Sequence, residues 1–355
     1  MSTAFDELQT VVDRYSSKII FVNNDPIAPY DLTPGKIVIF TCVGDYYPYQ
    51  SFSSEFDQLL THYQSTGRLR NYYIILTNQN IPSDVSVKYR DIVTFIRIPT
   101  SYSWYRDKIA AEGFTRTRNL KRHFLSLNNR AIWYRHALFY FFVKHNLLDQ
   151  AYFSYNMDDR FGVGQDQLFD ELDATIGTTW YNQGLDSALL KSMIPYKIDD
   201  FVPSTHLWVF GDKNLYNESF CNITTETYNQ DRDPFFTEKT FKPIAFEQPF
   251  FLYGSQGSLE YLKSLGFKTF DDVWDESYDQ EPLNHLRFEK MLKQILEVST
   301  WSLDKCESIS KKLEPRLTYN KQVLMDVLPK QYDHDIELVK EYIEKLINDK
   351  QNLLG

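Results

Sequence analysis

Only three cysteines, Cys42, Cys221 and Cys306, occur in 355 residues, far apart and without Cys-x-x-Cys or Cys/His spacing. That argues against a disulfide framework or a structural zinc site and suits a reducing compartment. Long apolar runs are also missing. The stretch from Ala137 to Val143 is too short to cross a bilayer, and the opening MSTAFDELQTVVDRYSS has no charged-then-apolar leader pattern. No Gly-x-Ser-x-Gly, Walker A or kinase string is present, and the seven histidines show no paired-ligand spacing. Positive charge is scarce as well: 38 Lys and Arg stand against 48 Asp and Glu, for a net −10. A bulk electrostatic grip on nucleic acid is therefore disfavoured. Together these absences predict a cytoplasmic protein, in which the sequons at Asn217 and Asn222 are chance matches.

Hydrophobic residues make up 43% of the chain and aromatic residues 16%, enough to build a packed core and to line a pocket that stacks flat rings. Short β-branched runs alternate with helical patterns, which predicts an α/β fold. The runs are Lys18–Asn23, Lys36–Cys42, Tyr72–Thr77 and Asp91–Ile98, then His123–Leu127 with a turn at Asn128-Asn129, Ala151–Tyr155, His206–Phe210, Phe220–Thr225 and Pro249–Tyr253. Helices are expected over Glu55–Thr66, Ala131–Asn146, Lys239–Phe246 and Ser258–Leu265, with Gly266 closing the last. From Pro282 the chain reads as helical, and Ile336, Val339, Ile343 and Leu346 form one apolar stripe that suits core packing. The expected division is a Rossmann-like domain over 1–115, a second over 116–300 and a helical segment over 301–355 packing across both. Four cations, Arg116, Arg118, Lys121 and Arg122, mark the expected hinge. Six acids crowd residues 271–281, and solvated surface is the simplest reading of both clusters.

One junction carries chemistry. In Phe236-Thr237-Glu238-Lys239-Thr240-Phe241-Lys242-Pro243 a strand gives way to a helix. Thr237 can cap that helix, Glu238 can accept both hydrogens of a vicinal diol, and Lys239 can meet phosphate beside free backbone amides. Lys242 lies three residues beyond Lys239, so a second cation shares the face. Glu-Lys in a first helical turn is also ordinary surface composition. Pro243 removes a backbone donor, so a short helix is expected.

The stretch FFTEKTFKPIAFEQPFFLYGSQGSLEYLKSLGFKTFDDVWDESYD resembles a block found in phage, giant-virus and bacterial proteins assigned as glycosyltransferases. Its general pattern is TEKT-x-KP-I, then PF, G, L-x-x-L-x-x-x-GF-x-TF and DE-x-YD. It also looks like a distant relative of the Glu-Lys motif of the α1,3-fucosyltransferase family, which has the two-domain GT-B fold. The resemblance implies that Glu238 holds the ribose and Lys239 the diphosphate of a nucleotide sugar, the co-substrate, with no cofactor. A weaker likeness over 123–155 implies that Ser126, Asn128, Arg130 and Arg135 face the phosphates, Arg135 standing nearest to that motif's arginine. The expectation is a GT-B enzyme with two Rossmann-like domains facing a cleft and C-terminal helices.

An inverting transfer needs a base near the acceptor hydroxyl. Asp45, just past a strand, fits that position, although a turn cap beside Gly44 is the simpler reading. The pair Asp158-Asp159 could share a cation, but a site with cationic phosphate ligands needs none, so no metal is expected. Gly162-Val-Gly164 is a lone Gly-x-Gly, and His123 and His136 suit structural partners. The resemblance to phage proteins admits a hydroxymethylated base in duplex DNA as acceptor, in host cytoplasm, guided by the 116–122 cations; the acidic balance favours a glycan, lipid-linked sugar or protein. A non-catalytic nucleotide-binding or assembly protein of the same fold, and a two-domain ligand-binding protein, are the competing classes.

Overall fold

The computed structural model describes residues 4–17, 19–23, 36–42, 72–77 and 93–97, then 116–158, 164–177, 179–198, 211–227 and 236–354, with a few isolated positions between them. Asp45, Asp159, Gly162 and the strand expected over His206–Phe210 lie outside the described residues, as does the helix expected over Glu55–Thr66 apart from Gln58. The chain divides into two compact units, 1–104 with 327–355, and 105–326.

In the first unit four strands, β1 (Ile19–Asn23), β2 (Ile37–Cys42), β3 (Tyr72–Thr77) and β4 (Val93–Arg97), lie in chain order and all parallel. Ile37, Ile39, Ile74 and Leu76 point to one face, where helix α1 (Ala4–Arg14) contributes Leu8 and Val11. The C-terminal helix, Leu328–Leu354, closes that core with Tyr332, Ile336, Val339, Ile343 and Ile347, a spacing of three and four residues that keeps one stripe inward. Val38, Tyr73 and Ile75 are buried as well, as near-continuous apolar strands of a parallel sheet require. The C-terminal helix thus belongs to the same unit as the N-terminal sheet.

The second unit holds a sheet of β5 (Arg122–Arg130), β6 (Ala151–Asp158), β7 (Ser219–Thr225) and β8 (Phe250–Tyr253), ordered β6-β5-β7-β8 and parallel throughout. Helix α2 (Trp133–Lys144) follows β5; α3 (Glu238–Ala245) and α4 (Ser258–Ser264) flank β8; α5 (Asn284–Ser299) and α6 (Leu303–Gln322) come last. Phe124, Phe142 and Phe153 pack ring on ring, and Trp133, Tyr253 and Phe288 form a second aromatic cluster. Asn128 and Asn129 are not a turn. They continue β5 to Arg130 through a register shift, because Asn128 finds side-chain partners inside the sheet. Among the described residues no helix is long and apolar enough to cross a membrane.

Candidate functional site

The chain runs from β5 outward to β6 and then returns across β5 to β7. Winding reverses there, and open parallel sheets hold ligands beyond the strand C-termini at such a point. The candidate residues gather at this edge.

The first group is centred on Thr225, the last residue of β7. Its Oγ1 donates to Asn128 Oδ1 at 2.9 Å, and Asn128 Nδ2 donates to Ser126 Oγ at 2.9 Å. Arg135, in the first turn of α2, donates from Nε to Thr225 Oγ1 at 3.0 Å and from Nη2 to the Thr225 carbonyl at 2.8 Å. Ser126, Asn128 and Arg135 are each almost wholly buried. The structure therefore brings three of the four residues expected near phosphate together, around a threonine, with two of the guanidinium's five N–H donors used on it. Arg130, the fourth, is part-buried at the end of β5 in register with Asp158.

Glu226 follows at once and is only 1% exposed. Its Oε1 accepts from the Thr237 amide at 2.9 Å and from Thr240 Oγ1 at 2.5 Å, while Oε2 accepts from Thr237 Oγ1 at 2.6 Å. The Tyr134 hydroxyl donates to the carbonyls of Glu226 and Thr227 and holds the same turn of chain. A buried carboxylate is thus matched by the donors of a helix start, which satisfies its lone pairs and the orphan amide of the N-cap together.

Thr237 is the N-cap of α3, and its Oγ1 accepts from the Lys239 amide at 3.4 Å and from Lys239 Nζ at 3.1 Å. Lys239 Nζ also donates to Glu238 Oε1 at 2.7 Å. Two amides expected to face phosphate are therefore occupied: Glu226 takes that of Thr237 and the Thr237 hydroxyl takes that of Lys239. Pro243 sits inside α3 and cannot donate to the carbonyl four residues before it. That carbonyl, of Lys239, instead lies 3.3 Å from Thr224 Oγ1, whose one hydrogen it shares with the nearer Asn222 Oδ1 at 3.1 Å. Strand β7 so grips the helix at its N-cap through Glu226 and at Lys239 through Thr224.

Charge on the other side of this turn is tightly coupled. Burial alone would raise the Glu238 carboxyl, but the charge and hydrogen bond of Lys239 and the charge of Lys242 carry it below the usual range. Burial pushes the Lys242 ammonium down to about 8, with Glu238 opposing the shift and Lys239 adding to it. One helical turn thus presents a carboxylate able to accept from vicinal hydroxyls and two ammonium groups able to meet phosphate oxygens.

Other expectations resolve differently. The 116–122 stretch is no open cationic strip: Lys121 pairs with Glu218 at 2.6 Å and the Arg122 guanidinium lies over the Tyr152 ring. Arg116 and Arg118 are part-buried, and burial pushes the Arg116 guanidinium down to about 10 against Glu247 and Glu314. Nor is the acidic run merely solvated. Glu276 accepts from the Phe270 amide at 2.8 Å, and Asp279 accepts from the amides of Leu259 and Glu260 at the start of α4. Tyr278 is buried, its hydroxyl accepting from the Leu252 amide. His123 meets the Trp301 carbonyl at 2.7 Å, and His136 lies buried between Tyr155 and Asp173. Among the described residues no cluster of three His, Cys, Asp or Glu could hold a metal ion.

Sequence reasoning missed Thr224, Thr225 and Glu226. The available signal was an acid placed directly after a β-branched strand, Ile-Thr-Thr-Glu, one loop before the Glu-Lys turn.

No protein-family model and no curated protein matches the chain. Among solved structures it is similar to a glycosyltransferase from Rickettsia africae ESF-5, with 11% identity and a TM-score of 0.38 over 94% of this chain and 81% of that one.

Proposed function

We propose that the chain is a glycosyltransferase that takes a sugar from a nucleotide-diphosphate sugar and delivers it to a hydroxyl acceptor. The observation that supports this is the single turn bearing Glu238, Lys239 and Lys242, held by β7 at the switch point of a parallel sheet. A diphosphate ester and a ribose diol lie next to each other in a nucleotide sugar, and this turn offers ammonium groups beside a carboxylate. In the proposed arrangement Glu238 accepts from the ribose hydroxyls, while Lys239 and Lys242 face the diphosphate. Arg135 fixes the strand end, and Arg130 adds charge nearby. Negative charge grows on the leaving diphosphate in the transition state, so these cations act on turnover as well as on affinity. The proposal extends to a metal-independent, inverting enzyme of the GT-B arrangement, with the acceptor on the N-terminal unit and Asp45 as base. Because the chain carries a net charge of −10, a glycan or other small hydroxyl acceptor is preferred to duplex DNA.

A thermal-shift screen with UDP-, GDP-, ADP- and CMP-sugars tests the reading. One base should stabilise the wild type and lose its effect in Lys239→Ala. If no nucleotide sugar shifts the transition at millimolar concentration, the assignment fails; binding without sugar turnover would move it to a non-catalytic nucleotide-binding protein.

A further inference from the structure

We infer that Glu226 is a positioning residue that sets the Lys239 ammonium through the Thr237 hydroxyl; its link to donor binding rests on the function proposed above. A carboxylate can only accept, so the 2.6 Å contact between Thr237 Oγ1 and Glu226 Oε2 consumes the hydroxyl's one hydrogen. The lone pairs of that oxygen are then turned away from Glu226. They receive the Lys239 amide at 3.4 Å and the Lys239 ammonium at 3.1 Å. Glu226 itself cannot rotate to another role, since its Oε1 is held by the Thr237 amide at 2.9 Å and Thr240 Oγ1 at 2.5 Å. It is 1% exposed, and Thr237 is 4% exposed, so water does not compete for either group.

This chain of contacts separates two roles that a buried carboxylate at a helix start usually combines. Oε1 anchors the helix through two donors, whereas Oε2 only orients the threonine hydroxyl. Glu226→Gln distinguishes them. The amide oxygen of glutamine keeps both anchoring contacts, but its NH2 group replaces Oε2 and donates to Thr237 Oγ1. The hydrogen bond is reversed, and the lone pair that seated Lys239 is filled. Lys239 then keeps Glu238 as partner and loses the second contact that fixes its direction.

The experiment uses the full chain in four forms: wild type, Glu226→Gln, Thr237→Val and the double variant, with Thr237→Ser as the conservative control. The first readout needs no nucleotide: the rate at which N-succinimidyl acetate acylates Lys239, followed by peptide mass spectrometry. Glu226→Gln and Thr237→Val should each raise that rate about three- to tenfold, the range that loss of one hydrogen bond allows. The double variant should match Thr237→Val, because both changes break the same link, and Thr237→Ser should behave as wild type. The second readout is the Kd of the tightest-binding UDP, GDP, ADP or CMP sugar, which should weaken by a similar factor in the same variants. Unchanged Lys239 acylation in both single variants overturns the inference, as does a fully additive double variant. A loss of thermal stability with neither readout altered would make Glu226 a helix anchor only and also overturn it. If acylation responds as described while the wild type binds no nucleotide, the positioning chain stands and the proposed donor site falls.

Discussion

Lys242 makes the donor reading open to a pH test whose sign and size follow from the site. Burial next to Lys239 takes its ammonium from 10.5 to about 8, with Glu238 offsetting part of the shift. The folded value is depressed, so between these limits the folded chain binds fewer protons than the unfolded one. Keeping Lys242 charged costs about 3 kcal/mol of stability below pH 8, and that penalty is relieved as pH rises toward 10.5. A diphosphate placed against the ammonium adds negative charge to that of Glu238 and draws the value back up. Binding must then take up protons. If the bound value returns to that of free lysine, affinity should fall about tenfold between pH 7 and pH 9, and about half a proton should be absorbed per ligand at pH 8. The diphosphate of a nucleotide sugar is esterified at both ends and has no proton to lose in this window. Glu238 lies below its ordinary range and is already ionised there. Isothermal titration of the nucleotide sugar in buffers of different ionisation enthalpy measures affinity and proton uptake together, and Lys242→Met should flatten both. A wild-type affinity that is constant from pH 7 to 9, with no uptake at pH 8, would refute the placement of Lys242 against phosphate.

Removing Lys239 by alanine should lower kcat/KM by ~2–4 kcal/mol, the range for one preorganised charge contact, as steady-state kinetics with saturating acceptor would show. His136 is fully buried, and desolvation takes its imidazole from 6.5 to about 4 against the pull of Asp173. The unfolded chain therefore accepts a proton that the folded chain refuses, and stability should drop by up to about 3 kcal/mol as pH falls from 6.5 to 4. Urea titrations across that window should show a shallower acid limb in His136→Gln. Ile343→Ala empties a position that is 0% exposed between the C-terminal helix and the β1–β4 sheet; it should destabilise the first unit by ~2–4 kcal/mol in chemical denaturation.

Much of the fold was readable because its strands are short β-branched runs bounded by polar residues. β1, β2, β3 and β8 begin within a residue of the expected positions, and the stripe through Ile336, Val339 and Ile343 is buried as its spacing implies. Helix α1 is not among the expected elements, although Phe5, Leu8, Val11 and Val12 stand at helical spacing and Leu8 and Val11 face the core. The grouping of residues 327–355 with the N-terminal sheet was equally hidden. An amphipathic helix announces that it will be buried and not against what. At the candidate site, the Glu-Lys turn is a local pattern and could be found. The contacts of Thr225 with Asn128 and Arg135 join residues 97 and 90 positions apart, and no local signal encodes them.

The string that drew attention first combines two faces of one helical turn. Thr237 and Thr240 stand three residues apart and turn toward Glu226, whereas Glu238, Lys239 and Lys242 form the charged group. Pro243 belongs to the first set, because it frees the Lys239 carbonyl that Thr224 then holds. The far end of the same block is structural too: Glu276, Tyr278 and Asp279 each satisfy a backbone amide within their own unit. A match to the whole block therefore reports mainly that the helix is mounted on the sheet in this manner. Its chemical content lies in three side chains, and a protein could keep every mounting residue while losing those three. Thr240, Pro243 and Asp279 should thus tolerate exchange only at the expense of stability, Thr237, which caps the helix and also holds the Lys239 ammonium, at the expense of both, and Glu238, Lys239 and Lys242 at the expense of ligand. Denaturation and nucleotide titration of paired variants, Asp279→Ala against Lys242→Met, would separate the sets. Equal loss of stability in both would mean that the charged group is part of the mounting and that the proposed donor site has been placed on the wrong side of the helix.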